Sequence, residues 1–202
     1  MEDDPLFRRI RQHAEIRLKF NATQPDSHRI AKLKEFMRLE KEMLFRYHQK
    51  GDSGFRLTRA RAVIVDVLVQ NLFSYAVEIA SQSLIRTKPM CVLATGGYGR
   101  GELSPHSDID IMFLYPQSSM GKSLDLLKET MIREILYPLW DTGLKVGHAS
   151  REFKEALTES QKDIRNKNSM RDARFICGNR KVAEKFTARF KRYCRKTNPS
   201  QY

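Results

Sequence analysis

Residues 90–115 read MCVLATGGYGRGELSPHSDIDIMFLY, and this stretch constrains the fold more than any other part of the chain. Met90–Ala94 is a short apolar run of strand length, and Ile109–Leu114 is a second. A glycine turn and a polar crossover lie between them. Asp110 interrupts the second run, and Asp108 stands two residues before it. Side chains at i and i+2 of a strand share a face. The sequence therefore holds two carboxylates side by side, close to a turn rich in free backbone N–H groups. Two such strands need a sheet and covering helices to bury them.

The flanks supply helices. Asp26 or Ser27 caps a helix that runs to about Lys50, carries Ile30, Leu33, Phe36, Met37 and Met43 on one stripe, and ends at Gly51 and Gly54. A second long helix spans Leu57 to Ile85, with Pro89 beyond its end. After Pro116 come a polar loop and a helix from Ser123 to Trp140. Asp141-Thr142-Gly143 makes a turn, and Leu144–Ala149 is a third strand. Beyond Arg151 the helical pattern returns, with breaks near Asp163 and at Gly178-Asn179, and Thr197–Tyr202 is frayed. This order predicts an α+β fold, a small mixed sheet flanked by N-terminal and C-terminal helices. Three segments follow: a helical 1–88, a sheet-bearing core 89–150, and a helical, basic 151–202.

Composition narrows the setting. The 202 residues carry a net charge of +13, of which +10 falls between Gln161 and Tyr202. Such a basic section attracts nucleic acid or nucleotide phosphates, or forms solvated helix faces. No aromatic ribbon accompanies it, so a single-strand stacking platform is not indicated, and nucleic acid is a secondary expectation. No uninterrupted run of about 18 apolar residues suggests a membrane span. Three scattered cysteines match neither a zinc spacing nor a disulfide framework, which points to a cytoplasmic setting.

The residues themselves suggest phosphate chemistry. Glycines at 96, 97, 99 and 101 allow tight backbone angles and close approach of phosphates, and Arg100 adds a charged fork. The dinucleotide fingerprint fails, because Gly97 and Gly99 require a third glycine where Glu102 stands. The P-loop fails for want of a closing Gly-Lys-Ser/Thr. Asp108 and Asp110 are hard oxygen donors suited to Mg²⁺ or Mn²⁺. The alternative is a turn-capping Asp108 and a salt-bridged Asp110. Against it, a buried, unpartnered carboxylate within an apolar strand is costly, and a metal offsets that cost.

Gly-Gly, a short spacer and Asp-x-Asp between apolar residues resemble the nucleotidyltransferase superfamily that includes DNA polymerase β. The longer string GGYGRGELSPHSDIDIMFLY, with RARAVIVDVLV, LWDTGLKVGHASRE and SMRDARFICGN, resembles the nucleotidyltransferase domain of the bacterial PII uridylyltransferase family over roughly residues 55–195. The resemblance implies a nucleotidyltransferase-type sheet in which Asp108 and Asp110 bind the catalytic metals. It implies that Gly96, Gly97, Arg100 and Ser107 line the triphosphate site. It also implies transfer of UMP from UTP to a tyrosine of a PII-like protein, with release of pyrophosphate. Many superfamily members carry a third acid on a later strand. Here Leu144–Ala149 has His148 and no acid, and the family string places one at Asp172, whose other reading is a helix-surface partner of Arg165 or Arg171. Other acceptors, a small molecule or an RNA end, and a nucleotide-binding domain without turnover are the alternative readings.

Overall fold

The computed structural model describes residues 4–21, 23–83, 90–116 and 121–196. Three helices come first: α1 (Pro5–Arg17), α2 (Asp26–Gln49) and α3 (Gly54–Gln82). Asp4 caps α1 by accepting from the Leu6 N–H (2.8 Å) and also pairs with Arg56 of α3 (2.7 Å). Then follow β1 (Cys91–Thr95), the one-turn helix α4 (Gly96–Gly99), β2 (Ile109–Tyr115), α5 (Gly121–Met131), a π-helical turn (Ile132–Leu136) and α6 (Tyr137–Asp141). The chain ends with β3 (Val146–Glu152), α7 (Phe153–Lys162), α8 (Ile164–Arg171), β4 (Arg174–Gly178) and α9 (Arg180–Lys196).

The four strands form one mixed sheet in the order β3-β2-β1-β4. β1 is antiparallel to both β2 and β4, and β2 is parallel to β3. Alternation along the strands sorts their side chains into two cores. Val92, Ala94, Ile109, Ile111 and Phe113 pack on the side of α1–α3 and α5. Cys91, Leu93, Met112 and Leu114 pack on the other side against α7, α8 and α9, with Phe153, Met170, Phe186 and Phe190. Asp110 is in phase with Met112 and Leu114, so its carboxylate belongs to this second face.

The α+β class and the small mixed sheet agree with the sequence reading. The break at Asp163 is present, and Asp163 caps α8 by accepting from the Arg165 N–H (2.8 Å). Two elements differ. The third strand lies at Val146–Glu152 rather than Leu144–Ala149, because Leu144 is buried in the approach to the strand and pairing with β2 continues to Tyr115↔Glu152. Residues 174–178, read as helix, form β4 at the sheet edge. The short apolar run Phe175-Ile176-Cys177 pairs with β1, and Gly178 ends it at φ 90°. Sheet pairing overrides the helical periodicity on either side. The expected helix end at Ile85, Pro89, the loop after Pro116 and the frayed Thr197–Tyr202 fall wholly or largely outside the described residues.

The helix expected over Ser123–Trp140 is one continuous rod with a π-helical turn in its middle. Pro138 has no N–H to give the carbonyl four residues earlier, and the ladder shifts just before it. The turn carries Glu134, which is buried and ion-paired with buried Arg29 of α2 at 2.8 Å. α3 is long and apolar enough to cross a membrane by length and composition, but half of that stretch is buried inside the protein. It serves as the central core helix. Replacing Glu134 with Ala removes the buried partner of the Arg29 guanidinium and leaves it only the exposed Asp26 carboxylate (2.9 Å). A urea unfolding curve should show a loss of about 3 kcal/mol.

Candidate active site

The site begins with α3. Asp66 interrupts the apolar run Val63–Val69 of that helix. Its carboxylate accepts from the Tyr98 hydroxyl (2.6 Å) and from both terminal nitrogens of Arg174 (2.7 and 3.0 Å). Arg174 also donates to the Tyr98 carbonyl (3.3 Å). Tyr98 is fully buried, and burial together with the Asp66 charge pushes its phenol well above the ordinary value. The network ties α3, the glycine turn and β4 together.

The turn is thereby fixed between β1 and β2. Gly96 adopts φ 59°, in the left-handed region that favours glycine. Gly99 packs so closely on Asp172 that a Cβ would lie 2.3 Å from the Asp172 carbonyl oxygen. The fold therefore brings the start of α4 against Asp110. A Cβ at Gly96 would stand 3.0 Å from Asp110 Oδ2, and a Cβ at Gly147, the β3 partner of Asp110, would stand 2.8 Å from Oδ1. Two glycines make a cradle that holds the carboxylate without giving it a hydrogen bond. Among the described residues neither Asp108 nor Asp110 has a hydrogen-bond or ion-pair partner for its carboxylate. Burial, then the neighbouring charge of Asp108, pushes the Asp110 carboxyl above its usual value.

Asp110 opens into a cleft of about 390 Å³ between the sheet and α8. Thr95 and Gly147 line it on the sheet side, and Arg165, Asn166 and Ser169 line it on the helix side, with Arg151 also in its wall. Arg151 reaches Glu159 at 3.4 Å.

The structure brings Gly96 against Asp110, with Asp108 exposed just before β2 and near enough for its charge to bear on Asp110, and it separates some of the other expected residues. Gly97 sits within the turn, where a Cβ would be 3.7 Å from the Arg100 guanidinium. Arg100 and Asp172, expected in different roles, pair with each other at 2.8 Å, and Arg100 also approaches Glu102 (3.8 Å). Arg171 stands 3.8 Å from Asp172. Ser107 donates to the Ser104 carbonyl (2.9 Å) and lines a different cavity from Asp110. His148 is exposed, meets the edge of Trp140 (6.0 Å) and, unlike Ser107, lines the same cleft as Asp110. No group of three His, Cys, Asp or Glu suited to a metal occurs among the described residues.

Sequence reasoning missed Asp66, Arg174, Gly147 and the α8 wall. The signal for Asp66 was visible: an acid inside the apolar run of a core helix requires a buried cation. Nothing local in the sequence shows that Arg174 is that cation.

The raised carboxyl has a sign. Between the ordinary carboxylate pKa and the higher folded value, the folded chain holds the extra proton, so stability falls as pH rises through that window. Above it the penalty is constant. Without added metal, Asp110→Asn should therefore be more stable than the parent at neutral pH. The difference should vanish as pH falls below the ordinary carboxylate range, as read by thermal unfolding across pH.

A family model described as glutamate-ammonia ligase adenylyltransferase matches residues 11–131. The chain is also similar to curated proteins named bifunctional uridylyltransferase/uridylyl-removing enzyme. That of Caulobacter vibrioides (strain NA1000 / CB15N) is 33% identical over 156 residues, which cover 76% of this chain and 16% of the relative. That of Rhodospirillum rubrum is 32% identical over 151 residues, 74% of this chain and 16% of the relative. That of Nitrobacter hamburgensis is 36% identical over 141 residues, 68% of this chain and 14% of the relative. The chain thus matches a small part of the length of these relatives.

Proposed function

The chain belongs to the glutamate-ammonia ligase adenylyltransferase family of nucleotidyltransferases, and we propose that its Asp108–Asp110 face transfers UMP from UTP to a tyrosine of a PII-like protein. The observation that carries this reading is the Asp110 cradle. The fold holds a carboxylate half-buried beside a second one, flanks it with two glycines, and gives it no ion-pair partner among the described residues. A divalent cation fits that donor set, since hard carboxylate oxygens suit Mg²⁺ or Mn²⁺. Asp108 and Asp110 would hold it, and it supplies charge neutralisation on the triphosphate and acidifies the acceptor hydroxyl.

The remaining work is positioning and electrostatics. The phenol oxygen of the acceptor forms a bond to the α-phosphorus. The bond from that phosphorus to the α,β-bridging oxygen breaks, and pyrophosphate leaves with the electron pair. The phenol proton passes to solvent. Gly96 and Gly97 let phosphate oxygens approach the backbone, and Arg165 and Arg151 in the cleft wall offer positive charge to them. Arg100 is turned to Asp172 and acts in this reading by steadying the turn.

The relatives' name supports UTP as donor. The family model's name supports ATP as the second reading, with the same chemistry and a different base. Radiolabelled UTP and ATP, each supplied with Mg²⁺ and a PII-like protein, separate the two. Asp108→Asn and Asp110→Asn should each slow transfer on the order of a hundredfold or more, equivalent to about 3 kcal/mol of lost charge stabilisation. Retained transfer in the double variant would falsify the assigned site.

Gly147→Ala tests the cradle itself. The added methyl forces the Asp110 carboxylate aside. Mn²⁺ binding followed by electron paramagnetic resonance should weaken, while the circular dichroism spectrum is retained. Unaltered Mn²⁺ affinity would remove the cradle from the argument.

A further inference from the structure

A second cavity, larger than the Asp110 cleft, is lined by the loop that delivers Asp108. It encloses about 620 Å³ between α2, α3 and the loops that precede β2 and β3. That size lies within the range of small-molecule sites, roughly 300–1,000 Å³. Leu44, Phe45 and Leu103 contribute apolar wall. Every charged or titratable side chain that lines it is basic: Lys41, His48, Arg61, His106 and Lys145. None of the five has a side-chain hydrogen-bond or ion-pair partner among the described residues. Lys41, His48, His106 and Lys145 are exposed, and Arg61 is the one of the five that is partly buried. Its Nε is buried with no hydrogen-bond partner, and burial pulls its guanidinium below the usual basicity.

Elsewhere a buried and a partly buried cation are each paired with a carboxylate. Arg29 has Glu134, and Arg174 has Asp66. A cavity with a partly buried guanidinium, four further basic groups and no carboxylate departs from that pattern. Desolvating a cation without a counter-charge is costly, and an anion in the cavity offsets the cost.

We propose that this cavity is a binding site for a small organic anion, separate from the cleft at Asp110. An apolar body of aromatic-ring size packs against Leu44, Phe45 and Leu103, and a phosphate or carboxylate group meets Arg61 and the cations around it. The site also touches the catalytic strand. His106 and Ser107 line it immediately before Asp108, and the Lys145 carbonyl accepts from the Ile109 N–H (2.9 Å). A ligand there bears on the backbone that carries Asp108, which makes the cavity an effector site for the transfer reaction. That coupling rests on the function proposed above, whereas the binding does not.

Isothermal titration of the full chain with phenyl phosphate, benzoate and benzyl alcohol tests the proposal. At least one anion should bind, and the neutral alcohol should bind about tenfold more weakly or worse. Binding of phenyl phosphate alone assigns a phosphate ester, and binding of benzoate alone assigns a carboxylate. Arg61→Met should weaken the anion about tenfold, Arg61→Lys should weaken it less, and Asp110→Asn should leave it unchanged. If Arg61→Met does not fold, the double variant Lys41→Met/Lys145→Met at the cavity wall is read in the same way. No binding of either anion, equal affinity for the alcohol, or indifference to these variants overturns the site. Competition by UTP with Mg²⁺ also overturns it, because the cavity then belongs to the nucleotide. Binding with no change in transfer rate overturns the coupling and leaves the site.

Discussion

The carboxylate of Asp66 accepts hydrogen bonds from two residues that lie 32 and 108 positions away in the chain. One is Tyr98, in the middle of the glycine turn, and the other is Arg174, at the start of the last strand. The geometry of the candidate site depends on this joint. Tyr98 cannot leave the core without taking a donor from the Asp66 carboxylate and an acceptor from Arg174, which leaves that ion pair less well satisfied. With Tyr98 held, α4 cannot slide along β1. Gly96 then stays against Asp110, and Gly99 stays against the Asp172 backbone. A helix on one face of the sheet thus sets the shape of a turn whose consequence is felt on the other face.

On that other face the fold accepts a cost. Asp110 could have been an apolar residue like Met112 and Leu114, which follow it on the same side of β2. Instead a carboxylate is held partly out of water, beside another, with no protein donor. Groups of this kind mark places where a structure gives up stability for chemistry. The contrast with Asp66 is instructive. Both acids interrupt apolar runs, and both are drawn away from solvent. One is satisfied within the chain and is structural. The other is left open and faces a cleft.

Much of this was legible in the sequence, and the limits have physical causes. The strands either side of the glycine turn are readable because apolar runs bounded by turn residues leave few options. The two-residue period predicts Asp108 and Asp110 on one face; Asp110 lies in β2 and Asp108 just before it. β4 was not readable, because Arg174–Gly178 is short, flanked by helices, and becomes a strand through pairing with β1. The same long-range contact decides Arg174. Arg100 reads as a charged fork from its place in the turn, and Asp172 enters only through the family resemblance; their 2.8 Å pairing depends on how α8 returns to the turn. Gly147 read as a small residue in an alternating strand. Its importance comes from lying opposite Asp110 in a register that only the assembled sheet defines.

The order of the strands has a consequence for how the protein forms. β1 and β2 are near in sequence and pair first at low entropic cost, but β1 waits for β4, some eighty residues later by chain numbering, to complete its other edge. Contacts of such separation are late and slow in folding. During synthesis Asp66 and Tyr98 emerge well before Arg174, so the turn has its acid and its phenol without the cation that balances them. The reactive region therefore takes its final shape as the last part of the described chain docks. A nascent chain stopped short of β4 carries Asp108 and Asp110 on an unfinished sheet with an open edge.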